Sequence, residues 1–224
     1  MTVHAFRRLL LTEIRNRRNV LWILLCAHIL LNIAIIFLTT HTSSDQLSYL
    51  MSLNITLLCA MLILPFLRSF STWRDEWKQH SIYQLFVLPV PRSYLLITKS
   101  LVILLEACMI FAITAISLWI QYKVSHGLLF RAEPLITIDG PKLLFIISIV
   151  LSAISIVLLC AMSLFIGQWV GKLPLLLTFV SFVAGLLLWL MVFSLFPYFF
   201  TVLVLTIGLG WFSHFLLEKK VYAE

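Results

Sequence analysis

The chain has 224 residues, 62% hydrophobic and 11% charged, with a formal net charge of +7. So few charged side chains cannot cover a water-soluble domain of this size, whereas a protein whose outer solvent is lipid does not need them. The Lys and Arg residues sit in short connectors between apolar runs, as topology signals do, so the positive balance reports orientation and excludes nucleic acid as a partner. Cys26, Cys59, Cys108 and Cys160 fall one to each of the first four apolar runs, with no C-x-x-C pair and no histidine cluster. They read as packing residues, and no metal site, cofactor site or catalytic group is expected in the chain.

In chain order, residues 1–18 come first. Val3, Phe6, Leu10 and Ile14 recur at helical spacing while Arg7, Arg8, Arg15 and Arg18 project elsewhere. That pattern predicts a basic amphipathic helix lying in the membrane interface. Apolar runs then predict six spans, at about 20–40, 47–67, 101–121, 143–170, 174–195 and 198–217. The last two come from 45 residues without a charge, Leu173 to Leu217. As one helix these would extend ~68 Å, about twice the hydrocarbon thickness, so the run folds back, and Phe196-Pro197 is the natural turn. The expected fold is all-α integral membrane, residues 1–224 forming a single transmembrane domain.

Lys and Arg fall thirteen to three between alternate connectors. Five lie in the N-terminal segment, five between Arg68 and Lys99, one at Lys172 and two at the C-terminus. Lys123, Arg131 and Lys142 stand on the other side. The asymmetry places both termini in the cytoplasm. No secretory signal is expected, because the first apolar run is much longer than a signal-peptide core.

Four polar residues inside the spans are candidates for a pathway or for contacts between helices: Glu106, His28, Asn32 and Asn54. A carboxylate in a span costs a few kcal/mol and faces a partner or water. Lys99 lies two turns before Glu106 on the same helix face and is a possible partner. His28 and Asn32 are four apart, hence on one face, and hydrogen bonds to neighbouring helices are the favoured reading. Gly167 and Gly171, and Ser181 and Gly185, have spacings that let helices approach closely.

The longest polar interruption is Ser71–Lys99. Thr72 followed by Asp75 fits a helix-starting pattern, with Asp75 and Glu76 in the first turn. The helix would run towards Phe86, Pro89 and Pro91 would end it, and Ser93 would cap the third span. Trp73, Trp77 and Tyr83 would give it an apolar side, and Arg74, Asp75, Glu76 and Lys78 a charged one. No phosphate loop accompanies it: Gly167-Gln168-Trp169-Val170-Gly171-Lys172-Leu173 has the wrong glycine spacing and leucine where a hydroxyl belongs. No ATP hydrolysis is expected of this chain alone.

The run from Glu76 through Leu88-Pro89-Val90, Arg92 and Lys99 resembles the permeases of ABC type-2 transporters. It departs from their pattern with His80-Ser81 for Gly-Thr, Pro91 for serine and Thr98 for glycine. The resemblance implies that residues 71–88 form a cytoplasmic coupling helix docking, through Trp73, Arg74, Asp75, Glu76, Trp77, Lys78 and Tyr83, on a separate ATP-binding subunit, which would hold the ATP and magnesium. It also implies a second permease copy or paralogue in the bilayer. The expected function is a bacterial inner-membrane permease exporting an amphiphilic peptide, antibiotic or lipid, with antibiotic resistance one outcome. The alternative is a six-span scaffold or sensor without transport.

Overall fold

An apolar medium offers the backbone no hydrogen-bond partners, so a chain of this composition satisfies its peptide groups internally, as helices. The computed structural model describes residues 2–41, 47–78, 91–126, 129, 140–170, 173–196 and 199–219. Among these there are six helices: α1 Thr2–His41, α2 Leu47–Lys78, α3 Arg92–Val124, α4 Gly140–Val170, α5 Pro174–Leu195 and α6 Phe199–Lys219. All six are long and apolar enough to cross a membrane. Hydroxyl side chains inside them turn back on their own helix. Thr39 donates to the Ile35 carbonyl, Thr98 to Tyr94, Thr178 to Pro174 and Thr206 to Val202, each four residues back. That local bond lets a hydroxyl sit in apolar surroundings.

The helix ends follow from local chemistry. Pro174 opens α5, where a missing N–H costs nothing. Phe196, which precedes Pro197, has already left the helix at φ −135° and ψ 75°. After α3, His126 takes a positive φ of 52°, and its N–H reaches the Lys123 carbonyl at 3.3 Å. A left-handed residue just past the last turn is a common way to satisfy terminal carbonyls.

The structure differs from the sequence expectations at both predicted accessory helices. Residues 2–18 are not a separate interfacial helix: they continue into the first span as α1, 40 residues long. Val3 to His41 contains no glycine or proline, so nothing in the chain breaks the helix there. Likewise Thr72 does not start a helix. It lies within α2, its hydroxyl bonded to the Arg68 carbonyl at 2.9 Å, and α2 runs unbroken to Lys78 with Pro65 inside it. Ser93 does not cap α3 either; the Pro91 carbonyl accepts the Tyr94 N–H at 2.9 Å instead. The predicted course of the coupling helix beyond Lys78, including Tyr83, lies outside the described residues.

The chain forms two compact units. Unit 1 comprises Met1–Glu13, Phe66–Leu104 and Gly140–Glu224, and unit 2 comprises Ile14–Pro65 and Leu105–Asp139.

In unit 1, α4 is the central helix, packed on α5 and on α6, which barely touch each other. The α4–α5 contact is antiparallel and close. A Cβ on Gly167 would meet Thr178 and the Pro174 carbonyl, Ser181 Oγ lies 3.3 Å from the Ser163 carbonyl, and a Cβ on Gly185 would meet Leu159. The α4–α6 contact is parallel. Thr206 Oγ1 lies 3.3 Å from the Leu151 carbonyl, and Ser213 Oγ lies 3.3 Å from the Leu158 carbonyl, seven residues further on both helices. Small residues thus allow close packing where no hydrophobic effect drives helices together in lipid. A buried cluster of Trp73, Leu96, Ala161, Leu164, Phe165, Leu216 and Leu217 closes one end of the unit.

In unit 2, the packed apolar cluster is Leu25, Met61 and Ile110, one from each of α1, α2 and α3. The outward faces carry large exposed apolar side chains such as Ile23, Ile33, Phe37, Ile63 and Phe111.

Candidate functional site

Five buried polar residues of α3 follow one helical face. Lys99, Glu106, Thr114, Ser117 and Gln121 are each 0–3% exposed. Their spacings of seven, eight, three and four residues keep them within one side of an α-helix.

Within unit 1, Lys99 Nζ donates to Glu13 Oε1 at 3.1 Å and lies 5.0 Å from the centre of the Trp73 ring. Ring quadrupole and carboxylate together replace the water that the ammonium loses on burial. Phe6 meets Tyr94 edge to face at 5.5 Å, so residues of α1 hold the start of α3 by both an ion pair and a ring contact.

Within unit 2, three polar contacts join the helices. Arg17 Nη1 lies 3.8 Å from Glu106 Oε1, both side chains almost fully buried. His28 Nε2 lies 2.9 Å from Thr114 Oγ1, whose own proton goes to the Ile110 carbonyl at 3.1 Å. The threonine oxygen is thus free to accept from His28, whose ring also lies within 3.4 Å of Asn32 Nδ2. Asn32 Nδ2 donates to the His28 carbonyl at 2.8 Å, and its Oδ1 has no partner among the described residues. Asn54 and Gln121 exchange two amide bonds, Nδ2 to Oε1 at 2.8 Å and Nε2 to Oδ1 at 3.1 Å. Gln121 Nε2 also donates to Ser117 Oγ at 3.0 Å.

The four span residues singled out from sequence are thus all buried and all engaged. His28 and Glu106 bond to neighbouring helices, as does Asn54, while Asn32 braces His28 along α1. The described partners of Lys99 and Glu106 are Glu13 and Arg17 of α1. Thr114, Ser117, Gln121, Glu13 and Arg17 were not singled out. The signal for the first three was present, since they share a face with Glu106. Arg17 was hidden among four other arginines in a segment read for its net charge.

Because the Asn54–Gln121 pair is buried and reciprocal, removing one side strands the other. Gln121→Leu is expected to lower stability by about 1–3 kcal/mol. Asn54→Leu combined with Gln121→Leu should lose less than the sum of the singles. Thermal unfolding of the detergent-solubilised variants measures this, and strict additivity would contradict the pairing.

The docking residues expected on α2 separate into two sets. Trp73 is 2% exposed and sits edge to face on Phe165 of α4 at 5.1 Å, with Trp77 half-buried beside the same ring at 6.0 Å. Arg74 is half-buried and Asp75 exposed. Trp73 is therefore a core residue of unit 1, not a surface contact: its ring fills the space between α2, α4 and α6. The backbones of Glu76 and Lys78 belong to α2, and their side chains lie outside the described residues, as does Tyr83 altogether. Among the described residues no His, Cys, Asp and Glu side chains gather in a group that could hold a metal ion.

Comparison with curated proteins and with solved structures finds no match. A family model described as ABC-2 family transporter protein matches residues 9–185, well over half of the chain and reaching from α1 into α5. The chain belongs to the ABC-2 transporter family, as a multi-pass membrane permease subunit of an ABC transporter, a membership that implies an ATP-binding partner subunit.

Proposed function

We propose that the end of α2 is the docking element for the ATP-binding subunit, and that ATP and magnesium bound in that partner drive export through this permease. The observation that carries the reading is the rigid continuation of α2 through Trp73 to Lys78. At 32 residues the helix is ~48 Å long against ~30 Å of hydrocarbon, so its charged end extends beyond the apolar layer. Trp73 wedges that end against Phe165 and Leu216–Leu217 of the same unit. A push on Arg74, Asp75, Glu76 or Lys78 therefore acts on packed side chains of α4 and α6 instead of dissipating in a loop. Trp73 and Trp77 transmit, and the charged residues contact.

The thirteen-to-three bias of Lys and Arg supports a bacterial inner-membrane protein with this end and both termini in the cytoplasm. A second permease, a copy or a paralogue, completes the transporter. The exposed apolar faces of α4 and α5, with Leu144, Phe145, Leu176 and Phe179, suit an amphiphilic cargo such as a peptide, an antibiotic or a lipid.

The test is charge reversal at the α2 end, Arg74→Glu with Glu76→Arg. Co-purification of the ATP-binding subunit should fall by about tenfold or more, since like charges placed across an interface cost several kcal/mol. Unchanged assembly together with unchanged ATP turnover would remove the docking assignment. A scaffold or sensor without transport would give no ATPase partner at all.

A further inference from the structure

Three arginines fall within four residues of α1, and the structure separates them. Arg17 is 5% exposed and turned inward to Glu106, whereas Arg15 and Arg18 are exposed. Glu106 is the sole carboxylate among the described residues of unit 2, and it is buried with Arg17. Arg15 and Arg18 thus carry two positive charges on an outer surface with no anion beside them among the described residues of their own unit.

What lies next to them follows from the same helix face. At 3.6 residues per turn, Arg15, Arg18 and Trp22 fall within an arc of about 60°. Continuing along that side, Ile29, Ile33 and Phe37 are 43–64% exposed. This side of α1 is apolar and outward for the whole stretch from Trp22 on, a surface that meets acyl chains. Trp22, itself 58% exposed, marks the boundary, as tryptophan does at membrane interfaces. From Trp22 to His41 the helix rises about 29 Å, which matches the ~30 Å hydrocarbon layer. Arg18 and Arg15 then stand about 6 and 10 Å beyond its edge. The headgroup layer is about 5–8 Å deep on each side, and an extended arginine side chain covers the remainder.

We propose that Arg15 and Arg18, with Trp22 as the anchor at the hydrocarbon edge, form a binding face for the headgroups of anionic phospholipids. Two guanidinium groups 60° or less apart can share one phosphodiester or clamp two neighbouring lipids, each through paired N–H donors. The occupant is lipid because the face is continuous with a lipid-facing surface and lies at headgroup depth. Arg7 and Arg8, eight and seven residues before Arg15, belong to unit 1 and are not part of it. The proposal does not depend on the docking assignment for α2.

Native mass spectrometry of the full chain, released from detergent with added phosphatidylglycerol or phosphatidylcholine, reads the binding directly. The wild type should retain phosphatidylglycerol in preference by on the order of tenfold, since each basic residue near an anionic surface contributes comparably. Arg15→Gln with Arg18→Gln should bring the two lipids close to parity, Arg15→Lys with Arg18→Lys should keep most of the preference, and Arg7→Gln with Arg8→Gln should keep all of it. The single glutamine variants should each lose part, which preserves the test if the double variant does not fold. Equal retention of both lipids by the wild type overturns the proposal. So does a preference that survives in the double glutamine variant, or one lost equally in the Arg7, Arg8 variant. Loss of the ATP-binding subunit from the Arg15, Arg18 variant in detergent free of anionic lipid, with the lipid preference intact, would assign the face to a protein partner instead.

Discussion

Gly167→Val is expected to abolish recovery of monodisperse protein, and Gly167→Ala to lower its thermal stability sharply. The reason is the approach of α5 to α4. A Cβ at position 167 would fall against Thr178 Oγ1 and 2.5 Å from the Pro174 carbonyl oxygen. Neither obstacle can step aside. The Thr178 hydroxyl is fixed to that same Pro174 carbonyl by its own hydrogen bond, and the carbonyl belongs to the first turn of α5. Overpacking a well-filled contact costs about 1–3 kcal/mol even when side chains can shift, and backbone displacement adds to it. Gly208→Ala is the internal control, because nothing lies within 4 Å of the Cβ it would add. The comparison is read from thermal midpoints in one detergent. A Gly167→Ala protein as stable as Gly208→Ala would show that α4 and α5 do not pack as described.

This contact also shows what sequence could and could not convey. Gly167 was visible as half of a G-x-x-x-G pattern with Gly171, but its partner in space is Thr178 on the next helix. A spacing within one helix says that a close approach is available; it does not say to what. The six apolar helices were legible because length and apolarity are local properties of a run. The accessory helices were misjudged for a related reason. A change from apolar to charged residues reads as a boundary between elements, yet α1 and α2 cross such changes without a break, since charge alone does not interrupt backbone hydrogen bonding. The orientation of Trp73 was likewise out of reach. A tryptophan among charges resembles a surface anchor until Phe165, 92 residues later in the chain, is placed beneath it. The polar ladder of α3 lay between these cases: its shared face could be counted, but the matching residues Glu13, Arg17, His28 and Asn54 come from two other helices.

Arg17→Ala should destabilise the permease by about 3–5 kcal/mol, because it leaves the Glu106 carboxylate charged and buried with its facing guanidinium removed. Glu106→Gln should cost less, since a neutral amide facing Arg17 leaves no buried carboxylate charge without its counter-charge and keeps a polar oxygen beside the guanidinium. The informative variant is the double replacement, Arg17→Leu with Glu106→Leu. Exchanging a buried ion pair for apolar side chains of similar size removes two desolvation penalties along with the attraction, and the net is often neutral or favourable by about 1–4 kcal/mol. Thermal unfolding of the detergent-solubilised permease should therefore find the double variant more stable than Arg17→Ala. A double variant as unstable as the single one would mean that the pair does more than neutralise its own charges. The same protein also separates the two roles open to Glu106. If the carboxylate only joins α3 to α1, the stable double variant should keep the ATP turnover of the assembled transporter and its stimulation by cargo. If the carboxylate handles cargo or protons, turnover and stimulation should fall while the thermal midpoint holds. The contacts favour the first outcome. Glu106 is 3% exposed, faces an arginine about as deeply buried as itself, and lies on the same side of α3 as Thr114 and Gln121, which bond to side chains of neighbouring helices.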